Sequence, residues 1–125
     1  MPEARFPVEM ISSVPVVRAP EDIDITNASD FREALLAAAE RGAGISVIDL
    51  SRTQFCDSPG LHALVAAHKR ARVVGGEVRL VVSDPHVLRI LAISGLDRVI
   101  PCHDDLSQAL LVSSGSHRAA PARCA

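Results

Sequence analysis

The sequence predicts an α/β domain: a four- to five-stranded mixed sheet, mostly parallel, with helices. Three observations predict it. Short β-branched runs alternate with longer helical patterns in the order β-β-α-β-α-β-α-β-α. The run Ile45–Leu50 reads as a buried, central strand. The first two strands are separated only by Ser12-Ser13, so they read as an antiparallel hairpin ahead of parallel strands.

Residues 6–11 form an expected short edge strand, because Pro7 cannot donate to a ladder on both sides. Val14–Arg18 follows as a β-branched strand. Pro20-Glu21-Asp22 breaks it, and Asp24-Ile25-Thr26-Asn27 reads as a polar loop with capping residues. A helix over 28–40 carries its apolar stripe on Phe31, Leu35 and Ala38 and stops at Gly42. After the strand Ile45–Leu50, residues 51–56 connect to the next helix, with Phe55 expected to pack inward. That helix runs to about Val73, with Leu61, Leu64, Val65, His68 and Arg72 at helical spacing, and ends at Gly75-Gly76. Glu77–Val82 is a further strand. Ser83-Asp84-Pro85 starts a helix over 86–93 that Gly95 closes, with Leu96 making the accompanying apolar contact. A short strand over 99–101 and a helix over 106–112, capped by Asp104 or Asp105, complete the domain at 1–112. Residues 113–125 are rich in Ser, Ala, Pro and Arg and read as a disordered tail.

Composition narrows the function. The chain's 125 residues are one domain's worth, and 48% of them are hydrophobic, enough for a core. Aromatics are 2%, with no Trp or Tyr, so the core is aliphatic and the stacking platforms of a single-strand nucleic-acid binder are missing. A formal net charge of −2 gives no basic footprint for direct nucleic-acid binding. The odd, widely spaced Cys56, Cys102 and Cys124 match neither a disulfide framework nor a metal motif and suggest free thiols in a reducing cytoplasm. Glu3, Glu9, Pro2 and Pro7 interrupt any apolar leader, and no stretch approaches the ~20 apolar residues of a membrane span.

One stretch organises the rest: Asp57-Ser58-Pro59-Gly60-Leu61, where a buried strand gives way to a helix. Ser58 is placed to cap that helix and Pro59 to fill its first position. Gly60 lacks Cβ and lets another surface approach closely. The serine hydroxyl then sits at the positive end of a helix, which favours added negative charge.

These residues carry a family resemblance. Ile48-Asp49-Leu50, a spacer, and Phe55-Cys56-Asp57-Ser58-Pro59-Gly60-Leu61 resemble the strand, link and D-S-x-G-L helix start of STAS domains, specifically the bacterial anti-sigma factor antagonists. Residues 20–28 resemble the family's G-E-L-D loop, and Gly75-Gly76-Glu77-Val78 and Ile93-Ser94-Gly95-Leu96 match further motifs. The similarity spans about 8–112. It implies a partner switch, not an enzyme. The unmodified antagonist binds an anti-sigma factor, usually an ATP-dependent serine kinase, and so frees a sigma factor for transcription. Phosphorylation then breaks the complex, and a phosphatase fits as a third component. Ser58 matches the phosphorylated position and Asp57 the preceding acid. Asp24, Thr26 and Asn27 match the neighbouring loop, and with Asp57, Ser58, Pro59, Gly60 and His62 they form the implied partner surface. The domain itself takes no cofactor; ATP and Mg²⁺ belong to the kinase. Pro59 stands where many members have a second serine, which leaves the acceptor intact but changes the backbone a kinase reads. An alternative is an adaptor subunit of a stress-signalling or lipid-transport complex that is never phosphorylated.

Other chemistries fit less well. A nucleophile elbow needs a small residue two before the serine, where Cys56 stands. His62 and His68 are not at the i, i+4 spacing of a helical metal pair, and Cys102-His103 has no clustered ligands beside it. His68 reads as a partly buried histidine and Cys56 as a buried packing residue. Gly75-Gly76 follows a helix and precedes a strand, the reverse of a phosphate loop. Arg70, Arg72 and Arg79 read as a solvated face.

Overall fold

The computed structural model describes residues 6–41 and 44–111. A five-stranded sheet has the order β1-β2-β4-β6-β7, where β1 is Glu9–Ile11, β2 Val14–Arg18, β4 Ile45–Leu50, β6 Glu77–Val82 and β7 Cys102–His103. Only β1 runs antiparallel; the other pairs are parallel. β4 is central, as its sequence predicts. β1 joins β2 through Ser12 and Ser13, whose φ values of 53° and 69° match the left-handed backbone of a two-residue hairpin turn. The edge strand is shorter than the predicted 6–11, since pairing begins only at Glu9, past Pro7.

Among the described residues four α-helices complete the fold: α1 Ala28–Arg41, α2 Ser58–Val73, α3 Pro85–Ser94 and α4 Leu106–Leu110. The larger core joins Phe31 and Leu35 of α1, Leu64 and Ala67 of α2, and Val87 and Leu91 of α3 to Val17, Ile48, Leu50 and Leu80 of the sheet. α4 covers the other face, over Val14, Val16, Val47 and Val81. Both faces of β4 and β6 are therefore buried, which explains their near-continuous apolar sequences.

Several details differ from the sequence reading. The buried face of α2 is Gly60, Ala63, Leu64, Ala67 and Ala71, while Arg72 is exposed. Four of these five are Gly or Ala, and Leu64 is the one large side chain fully buried among them. Arg79 is buried, not solvated. Its guanidinium donates to the carbonyls of Ala109 and Leu111 at 3.1 and 2.6 Å and to Glu77 at 3.1 Å. It thereby satisfies carbonyls that the end of α4 leaves unpaired. The final strand is Cys102–His103, not 99–101: a 3₁₀ turn occupies Leu96–Arg98, and ladder bonding starts at the Pro101 carbonyl, which accepts from Leu80 N–H at 2.9 Å. Gly95 ends α3 with φ of 83°, and Leu96 is buried beside it, as predicted. The predicted stop at Gly42, residue 112 of the last helix and the tail 113–125 lie outside the described residues.

Candidate functional site

A second, two-stranded ladder that the sequence reading did not anticipate builds the site. β3, Asp22–Ile23, pairs in parallel with β5, Phe55–Cys56. Surrounding bonds lock the two segments together. Glu21 O accepts from Gln54 N–H at 2.8 Å and Phe55 N–H at 3.2 Å, and Ile23 O accepts from Asp57 N–H at 3.2 Å. The fully buried Thr53 donates its hydroxyl to Pro20 O at 2.7 Å. The loop Asp24–Asn27 and the segment Asp57-Ser58 thus leave one ladder side by side, and each starts a helix.

The loop is internally braced. Asp24 Oδ1 accepts from the Thr26 N–H at 3.0 Å and from the Thr26 hydroxyl. Asn27 is buried; its Oδ1 accepts from Asp24 N–H at 3.0 Å and its Nδ2 donates to Asp22 O at 2.9 Å. These bonds fix the turn that opens α1. Asp49, at the end of β4, is buried as well. It accepts from Arg18 at 3.1 Å and from Ser51 N–H at 2.9 Å, so the strand-ending Asp-Leu pair has a structural role.

At α2 the cap shifts by one residue from the sequence reading. Asp57, extended at φ −97° and ψ −171°, is the N-cap, and its carbonyl accepts the first helical bond from Leu61 N–H at 3.0 Å. Ser58 is the first helical residue and Pro59 the second, so the fixed φ of proline still falls in the first turn. Asp57 makes no side-chain cap bond, and its Oδ1 is enclosed without a hydrogen-bond partner. Ser58 is exposed, with its hydroxyl at the positive end of a 16-residue helix. Gly60 is buried against β3 and β5: an added Cβ would lie 2.6 Å from Cys56 Sγ and 2.7 Å from Ile23 Cγ2. Cys56 is buried, and burial first, then the charge of Asp57, pushes its thiol up to about 12. It stays protonated at neutral pH and is a packing residue.

His62 is exposed one turn beyond Ser58. His68 is partly buried, as predicted, and burial, then the charge of Arg72, lowers its pKa. Phe55 does not pack inward; it is 48% exposed. Alternation along β5 accounts for this: Cys56 faces the core, so its neighbour must face out. Ile25, in the middle of the polar loop, is 78% exposed. Two large apolar side chains are therefore exposed on the paired segments that lead into α1 and α2, and the sequence reading missed both as surface groups. Among the described residues no group of His, Cys, Asp and Glu could hold a metal ion, and no helix is long and apolar enough to cross a membrane.

With this arrangement in view, comparison with known proteins is direct. The STAS domain family matches residues 5–109, and the chain belongs to that family. The anti-sigma-B factor antagonist of Bacillus subtilis is 32% identical over 79 residues, covering 63% of this chain and 72% of that protein. An anti-sigma factor antagonist from Mycobacterium paratuberculosis, solved as a crystal structure, is 31% identical with a TM-score of 0.75, covering 84% of this chain and 89% of that one. The antagonist SpoIIAA in its unphosphorylated form shares the fold, with a TM-score of 0.70 at 22% identity over 84% of this chain and 92% of that one.

Proposed function

We propose that this chain is an anti-sigma factor antagonist whose binding is switched by phosphorylation of Ser58. The observation that carries the reading is the β3–β5 ladder: it sets the braced Asp24–Asn27 loop beside an exposed serine at a helix N-terminus. The partner is an anti-sigma factor that is also a serine kinase, and the contact surface is Asp24, Thr26, Asp57, Ser58, Pro59 and His62, with the buried Asn27 and Gly60 shaping it from beneath. Ile25 and Phe55 add the apolar contact area such a surface needs. The names of the Bacillus and Mycobacterium relatives support the antagonist role. The chain acts in the cytoplasm and is not itself a catalyst.

The electrostatics explain how one modification dissolves the complex. In the kinase, Ser58 Oγ bonds to the γ-phosphorus of ATP as the bond to ADP breaks, and the hydroxyl proton passes to a kinase base. The product carries about −1.5 to −2 charge at neutral pH. The N-terminus of α2 tolerates that charge in the free domain. Within an interface, next to Asp57, it must be desolvated against a like charge. A loss of ~3 kcal/mol there weakens binding more than a hundredfold.

The test is site mapping by mass spectrometry after incubation with an anti-sigma serine kinase, ATP and Mg²⁺. One phosphate on Ser58, absent from Ser58→Ala, supports the switch. Transfer to another residue, or none at all alongside tight binding, favours the second reading, a permanently bound adaptor. Pro59 directly after the acceptor is the feature that favours that alternative.

A further inference from the structure

Away from the serine, the outer surfaces of α1 and α2 meet in a groove of about 490 Å³. Leu36, Val65 and Val73 give it an apolar lining, and Arg32, Lys69 and Arg70 give it a basic one. No carboxylate lines it. Glu40 reaches Arg70 at 3.4 Å, whereas Arg32 and Lys69 have no ion pair among the described residues. The chain as a whole carries a formal charge of −2, so this positive groove runs against the overall balance. Its upper end is His62, one turn from Ser58, and α1 and α2 both start from the paired β3 and β5. The groove is therefore continuous with the surface around the serine.

We propose that this groove docks an acidic, leucine-bearing amphipathic segment of the same protein that binds at Ser58. Its apolar side chains lie on Leu36, Val65 and Val73, and its carboxylates meet Arg32 and Lys69. Unpaired cations around an apolar floor recognise that combination. No Phe, Tyr or Trp lines the groove to stack a base, and its concave form suits a helix or extended segment better than a membrane surface. Assigning the segment to the kinase rests on the proposed function; the acidic and apolar chemistry does not. The contact also gives the partner a hold that phosphorylation does not touch directly.

Two titrations test it. The first follows backbone amide shifts of the protein on addition of a synthetic amphipathic peptide with leucines on one face and glutamates on the other. Shifts confined to α1 and α2, lost in Arg32→Glu/Lys69→Glu and absent with the lysine counterpart, are the predicted result. No shift, equal shifts with the lysine peptide, or shifts of these residues only with phosphatidylserine vesicles overturns the proposal. The second measures affinity for the anti-sigma kinase. The double variant binds about tenfold more weakly at low salt, and its binding depends less on salt than that of wild type. Both substitutions are at exposed positions, and an unchanged melting curve shows the fold is intact. Equal kinase affinity overturns the groove while leaving the Ser58 switch standing. No kinase binding by wild type overturns the proposed function and the partner assignment, and the peptide titration alone then decides the groove's chemistry.

Discussion

Gly60 sets how closely the start of α2 approaches the ladder that positions Ser58. Glycine is normally a cost inside a helix, by roughly 0.5–1 kcal/mol relative to alanine. Here a methyl group would meet Cys56 Sγ at 2.6 Å and Ile23 Cγ2 at 2.7 Å, both on buried residues with little room to yield. Overpacking of this kind costs ~1–3 kcal/mol. Gly60→Ala is therefore expected to lower the denaturant midpoint, although alanine is the better helix former. A raised midpoint would show that the ladder and helix are not packed as described. The same packing shields the Cys56 thiol, held protonated by burial, from redox chemistry beside the serine.

The helix starts at α2 and α3 look alike in sequence but differ in structure. Asp84 accepts from His86 N–H at 2.9 Å and Val87 N–H at 3.3 Å, whereas the Asp57 side chain makes no cap bond and leaves Oδ1 enclosed without a partner. Asp84→Ala is expected to cost ~1 kcal/mol of stability, and Asp57→Ala much less, measured by chemical denaturation of both variants. Equal losses would contradict this geometry. An acid that stabilises little at the mouth of the site suits a residue kept for binding. The comparison also marks what sequence can reveal. Ile45–Leu50, the Ser12-Ser13 turn and the Gly95 stop are legible because each depends on local pattern or backbone conformation. The β3–β5 ladder is two residues per strand, too short for any periodicity, and exists only through long-range pairing. The exposure of Phe55 follows from that ladder, and the burial of Arg79 from carbonyls thirty residues away. Ser58 is singled out as the proposed acceptor by its family motif, while its place as first helical residue, with Asp57 at the cap, is not fixed by the local sequence.

Across the whole molecule, the sheet and its larger core form the base, and the elements of the proposed switch are gathered at one end of it. The long strands β4 and β6 continue into the segments that start α2 and α3, and the short ladder ties the β4–α2 connection to the β2–α1 connection. A charge added at Ser58 therefore alters a surface without disturbing the core, as a reversible switch requires. The most direct measurement is the affinity of the purified protein for the proposed anti-sigma kinase partner as wild type, Ser58→Ala and Ser58→Asp. Tight and equal binding by wild type and Ala, with Asp weakened by about a hundredfold at an unchanged melting temperature, is the predicted result. Equal binding by all three would contradict the account, because a negative charge at the centre of the interface would then have no effect.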